Sequence, residues 1–301
     1  MSVRVFKLII ITLLLSGILI QAQSKREKHK RSWDKWNVDL IEWYGESRPM
    51  IELNYGTGNL EHKSFDQNRF ADIGSIELKL GYSDLDFYSD DYILELDSRY
   101  IFGSKLSNTL IADNKVESFQ YKSESYRLGF GYTEGYGYRI GPVALIPYTQ
   151  NAYMLSKFNK LERNEPIPVG YMELSSPQEI IDYYGDSFRF GSLGEVGVKL
   201  ELASMLAVNA SYEGTVLYPR VKFWKMAGSF VIEEAGYAAL GEFVEKIMDR
   251  VPAAGPLMNV LLRGGYQYAI FQLRKDKMNW PFSTAEPLTY EQFKFGVTLT
   301  F

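Results

Sequence analysis

Apolar and polar positions alternate with period two along most of this chain, the spacing of strands with one face buried. Phe293, Phe295, Val297, Leu299 and Phe301 share one face of the clearest stretch; Lys294, Gly296, Thr298 and Thr300 share the other. The same alternation marks Ile51–Tyr55, Ile76–Tyr82, Tyr92–Phe102, Tyr126–Tyr132, Val196–Leu202, Leu206–Tyr212 and Val260–Tyr268. A further strand is expected over Tyr136–Tyr153, and a weaker one over Trp36–Trp43. That predicts about ten strands, with eight and twelve as the neighbouring even counts. Turns are expected near Thr133–Tyr136, Ala203–Ser204 and Ser83–Asp91. Two segments leave the pattern. Over 227–251, Phe230, Tyr237, Leu240, Val244, Ile247, Met248 and Val251 recur at helical spacing until Pro252 ends the run. This predicts an amphipathic helix suited to packing on a barrel rim, lying at a membrane interface or docking an unknown partner. A short helix is expected at Ser176–Tyr184, with Pro177 at its first position.

Residues 1–22 place Arg4 and Lys7 before an apolar run from Leu8 to Ile20 and end on Ala22. This is the layout of a secretory signal peptide. Residues 23–35 include the basic stretch Lys25–Arg31 and are expected to form a flexible tail, leaving 36–301 as one β domain.

Alternation alone fits a soluble sandwich or a membrane barrel, because each buries one face. The leader and the aromatic residues near strand ends favour an antiparallel transmembrane β-barrel, with polar residues in its lumen and aromatic girdles outside. The terminal strand, Phe293, Phe295, Val297, Leu299 and Phe301, resembles the C-terminal signature of bacterial outer-membrane β-barrel proteins. That resemblance implies an outer-membrane location in a diderm bacterium, lipid around the barrel, and recognition of this strand by the barrel assembly machinery. Counting back from Phe301 through ten strands leaves a conflict. The long connections fall on the side where such barrels have short turns.

Composition narrows the chemistry. Cys 0 excludes disulfides, thiolate metal sites and thiol catalysis; His 2 leaves little for a histidine metal site; a net charge of −4 gives no reason to expect nucleic acid. His62, with Ser64 and Asp66 close in sequence, is the one candidate for hydrolytic chemistry, and a loop triplet of that kind defines no triad. The polar faces of the strands are expected to fill the lumen with a charge lattice of Glu77, Lys79, Glu95, Asp97, Arg99, Arg127, Lys199, Glu201 and Arg263, with Arg189, Glu195 and Glu213 as further candidates. No catalytic residue, metal or cofactor is assigned. The expected function is a non-enzymatic outer-membrane role: passive passage of small solutes, ligand binding, or a surface or structural part. The alternatives are a barrel-embedded hydrolase acting on lipid or peptide, and a soluble periplasmic lipid-binding β-protein.

Overall fold

The chain divides into two units, Met1–Asp39 and Leu40–Phe301. The computed structural model describes residues 47–65, 70–88, 92–112, 116–163, 177–185 and 187–301, all within the second. The expected signal peptide, the expected basic tail and the candidate strand Trp36–Trp43 lie outside the described residues.

Eight strands close into an antiparallel barrel in simple chain order: β1 (Arg48–Glu61), β2 (Ile73–Phe87), β3 (Ile93–Ser107), β4 (Tyr121–Ile140), β5 (Val143–Arg163), β6 (Phe188–Ala203), β7 (Leu206–Leu217) and β8 (Leu288–Thr300). β8 pairs with β1 and seals the ring, Leu53 opposite Val297 and Glu52 opposite Thr298. Closure leaves no strand with an unpaired edge. The apolar positions that alternate along most strands point outward. Leu53 is 55% exposed, Leu128 66% and Phe295 66%, while their polar neighbours Glu52, Arg127 and Lys294 are buried. A soluble sandwich would bury the apolar face, so the exposed apolar belt sets this barrel apart from one.

Among the described residues the count is eight, below the expected ten or so. Val260–Tyr268 is helical. Its alternation is incidental to a stronger pattern, Val260, Gly264, Gln267, Phe271 and Arg274, spaced by three and four. Gly264 lies against Val196 of the barrel wall, and Gln267, Phe271 and Arg274 also meet the wall. The chain between β7 and β8 is thus a helical hairpin. Its first leg is α2 (Phe223–Arg250), and its second runs from α3 (Gly255–Asn259) through a π-helical turn (Val260–Gly264) into α4 (Gly265–Asp276). The earlier helix, α1 (Pro177–Tyr184), lies between β5 and β6. A second correction concerns the β4–β5 turn. Thr133–Tyr136 lies inside β4, and the reversal occurs at Gly141–Pro142, where Gly141 adopts φ +63. Only glycine takes that conformation without strain.

These corrections remove the conflict over loops. The connections β2–β3, β4–β5 and β6–β7 are short and share one end with Arg48 and Thr300. The connections β1–β2, β3–β4, β5–β6 and β7–β8 are long and share the other. Two apolar clusters close the interior. Leu85, Leu94, Leu96, Ile146 and Tyr148 pack at the short-turn end. Leu60, Phe102, Met154, Phe158, Leu217 and Tyr290 belong to the larger cluster at the long-loop end.

Candidate functional site: a filled lumen and a polar seam on the outer wall

An eight-stranded barrel has an interior just wide enough for side chains to fill. Here the middle layer is ionic. Glu52 comes from β1, Glu77 and Lys79 from β2, Arg127 from β4, Glu195 and Lys199 from β6, Glu213 from β7 and Lys294 from β8. Lys294 Nζ stands among three carboxylates, 3.0 Å from Glu77, 2.5 Å from Glu195 and 2.8 Å from Glu213. Arg127 meets Glu213 at 2.6 Å and Glu77 at 3.5 Å. Lys79 meets Glu52 at 2.9 Å, and Lys199 reaches Glu52 at 3.5 Å. Four cations thus face four carboxylates, and the cluster is electrically balanced. Neutral donors and acceptors occupy the remaining positions. Tyr148 Oη and Gln150 Nε2 both donate to Glu195 at 2.9 Å, Asn54 Nδ2 donates to Glu52 at 3.0 Å, and Thr298 Oγ1 donates to Glu52 at 2.8 Å. Buried charge is tolerable only when paired and hydrogen-bonded in this way.

The oxygens of Glu77, Glu195 and Glu213 lie within 4.8 Å of one another, a spacing that could hold a metal ion. The Lys294 ammonium already sits among them. The positive charge that such a donor set calls for is built into β8.

Glu77, Lys79, Arg127 and Lys199 belong to the lattice as expected, and Glu201 lies on the lumen face of β6 near Lys199 and Arg48. Glu95, Asp97 and Arg99 do not. On β3 the apolar face points inward, because directly paired residues share a face and Lys79 pairs with Phe102. Glu95 and Asp97 therefore point outward, opposite Asp86 and Asp84, on the part of the β2–β3 hairpin that extends past the start of β1. Arg99 shares that outward face, 56% exposed. Arg263 lies on the helical hairpin, outside the barrel. Glu52 and Lys294 were missed as lattice members. Lys294 is legible as the one charge in the polar phase of the last strand, opposite its aromatic face.

A second polar assembly lies on the outer wall. The hairpin packs along β4 to β7, and the wall beneath it carries small and polar outward residues among the apolar ones. Tyr237 Oη and Thr149 Oγ1 lie 2.7 Å apart, and Gln267 Nε2 donates to Asn151 Oδ1 at 2.9 Å. Arg274 donates to Ser192 Oγ at 3.0 Å and pairs with Glu233 at 2.5 Å. Arg263 pairs with Glu134 at 2.8 Å and lies over the Tyr237 ring. Gly214 accommodates Phe271 so closely that a Cβ there would lie 2.9 Å from the ring. Between hairpin and wall remains a cavity of about 40 Å³ lined by Glu233, Glu234, Tyr237 and Arg274 among others, large enough for water.

His62 is buried in the β1–β2 connection, edge-on to Phe65 and Tyr184. Burial lowers its pKa from the usual 6.5, partly offset by Glu286. Its Nδ1 accepts the backbone N–H of Ser64 at 3.2 Å, while Ser64 Oγ donates to Glu286 at 2.8 Å. The Ser64 hydroxyl is thus directed away from the imidazole. Asp66 lies outside the described residues.

No family model matches the chain, and no curated sequence does. Among solved structures it is similar to Neisserial surface protein A (NspA), with TM-score 0.39 and 11% identity over 84% of this chain and 97% of that one. It is also similar to Ail, the attachment invasion locus protein of Yersinia pestis, with TM-score 0.31 and 10% identity over 85% of this chain and 100% of that one. A structure of Ail in complex with the heparin analogue sucrose octasulfate gives TM-score 0.32 at the same identity.

Proposed function

We propose that this chain is a non-enzymatic outer-membrane β-barrel protein of a diderm bacterium, with a structural or surface role and a closed lumen. Residues 1–22 direct its export. Phe293, Phe295, Val297, Leu299 and Phe301, all outward on β8, present the strand read by the barrel assembly machinery. The observation that carries the reading is the combination of an exposed apolar belt with an interior whose six central charges, Glu77, Lys79, Arg127, Glu195, Glu213 and Lys294, are each 2% exposed or less. An apolar exterior around a satisfied polar interior is what a bilayer demands of a strand protein. The packed interior argues against passive passage of solutes. The arrangement of His62 and Ser64 gives no support to the hydrolase.

The reading is tested on detergent-extracted full-length protein. We expect slower gel mobility after boiling in SDS than before it, and no stepwise conductance above that of the bare planar bilayer. Extraction by carbonate without detergent would overturn the membrane assignment. Stepwise conductance from the wild type would overturn the closed lumen.

A further inference from the structure

The helical hairpin is inverted relative to a helix on a soluble protein. Its polar residues, Glu233, Tyr237, Arg263, Gln267 and Arg274, face the barrel wall, and its outer face is apolar. Trp224 is 83% exposed, Val231 63%, Leu257 55% and Leu261 59%. The first fully exposed charge after Trp224 is Glu242, and Glu245, Lys246, Asp249 and Arg250 follow near the tip. On the returning leg no charged residue is fully exposed from Leu257 to Leu273; Asp276 and Lys277 come next. At 1.5 Å per residue the charge-free outer face of α2, from Trp224 to Ala239, is roughly 23 Å long. The apolar band of an outer-membrane barrel is about 25 Å tall.

The position of the hairpin matches this dimension. Phe230 meets Tyr153 toward the long-loop end. The tip reaches the short-turn end, where Tyr138 Oη donates to the Ala253 carbonyl at 2.6 Å and Tyr88 Oη donates to Asp249 at 3.4 Å. The hairpin therefore descends most of the wall and returns. The wall is consistent with this placement: Thr149, Asn151, Ser192, Gly194 and Gly214 interrupt the apolar belt beneath the hairpin. Among the described residues no helix is by itself long and apolar enough to cross a membrane. In this arrangement none needs to be, because Arg263 pairs with Glu134 and Arg274 with Ser192 on the wall, and Glu233 pairs with Arg274.

We infer that the outer face of the α2–α4 hairpin is a lipid-contacting surface, continuous with the barrel belt, whose occupant is the acyl chains of the bilayer. The inference rests on the outer-membrane reading, and the two can be told apart. The chain has Cys 0, so single cysteines can be introduced without removing any. Nitroxide labels are placed on the hairpin at Val231→Cys, Ala239→Cys and Leu261→Cys, at its tip at Lys246→Cys, and on the belt at Leu128→Cys and Phe295→Cys. Each variant must retain its heat-dependent mobility, then is reconstituted in phosphatidylcholine vesicles. Power saturation with oxygen and with a water-soluble nickel chelate reports depth. We expect hairpin labels to match the belt labels, with an oxygen-to-chelate accessibility ratio several-fold above that at Lys246→Cys. Chelate access at the hairpin with belt labels shielded would overturn this inference alone. Chelate access at the belt labels too would overturn the membrane reading. Spin–spin broadening confined to hairpin labels would replace lipid by a second copy of the chain and overturn it as well.

Discussion

Lys294 is the residue whose removal should cost the barrel most. Its ammonium touches Glu77, Glu195 and Glu213 and is 1% exposed. At an effective dielectric constant near 20, one unit-charge contact at about 3 Å is worth roughly 5 kcal/mol before desolvation is counted. Desolvation and the nearby Lys79 offset much of this. What decides the outcome is the imbalance left behind. Lys294→Met retains the side-chain length but leaves the four carboxylates facing only Lys79, Arg127 and Lys199. Breaking a buried pair by removing one partner costs about 3–5 kcal/mol, because an uncompensated charge remains. Restoring neutrality with a second change, Glu195→Gln, should recover a large part of that loss. The assay is urea unfolding of vesicle-reconstituted protein followed by tryptophan fluorescence, with folded fractions checked by gel mobility. A loss below about 1 kcal/mol for Lys294→Met, or no recovery in the double variant, would refute the view that charge balance holds this layer together.

The outward carboxylate Asp97, 48% exposed, provides the opposite case. Asp97→Asn should change the unfolding free energy by no more than about 0.5 kcal/mol, as at ordinary surface positions, whereas Glu213→Gln should be clearly destabilising in the same titration. Gly214→Leu should displace Phe271 and loosen the hairpin, seen as faster proteolysis between Phe223 and Asp276 while the heat-dependent mobility of the barrel persists. Because burial depresses the His62 pKa, the folded state binds fewer protons than the unfolded state below about pH 6.5. Stability is therefore full above that pH and declines as the pH falls from 6.5 through the folded value. Urea midpoints at pH 7.5 and 5 should show the decline, and His62→Phe should reduce it.

Much of this was legible in the sequence for a physical reason. Along Ile51–Tyr55, Ile76–Tyr82, Tyr126–Tyr132, Val196–Leu202, Leu206–Tyr212 and Phe293–Leu299 the outward residues are aliphatic or aromatic and the inward ones charged, small or amide. Alternation then reveals both the strand and its phase, and Lys79, Arg127 and Lys199 follow directly. β3 misled because its apolar residues, Leu94, Leu96, Tyr100 and Phe102, serve the interior clusters while its charges lie beyond the belt. A period of two gives two faces, and only the pairing with β2 says which is inside. Val260–Tyr268 misled because its wall-facing residues, Gly264, Gln267 and Arg274, are small or polar. The contact side mixes these with Phe271, so it carries no continuous apolar stripe and the usual signature is weakened. Glu134, Asn151 and Ser192 were likewise unreadable as partners, since what they bind is supplied from more than seventy residues along the chain.

The position of Lys294 on β8 ties charge to closure. β8 carries both the hydrogen bonds that join the sheet to β1 and the ammonium that balances Glu77, Glu195 and Glu213. A ring closed by any segment lacking that lysine would hold an excess of buried negative charge, which is costly. The closing strand is thus a keystone for the charge of the interior as well as for its hydrogen bonds.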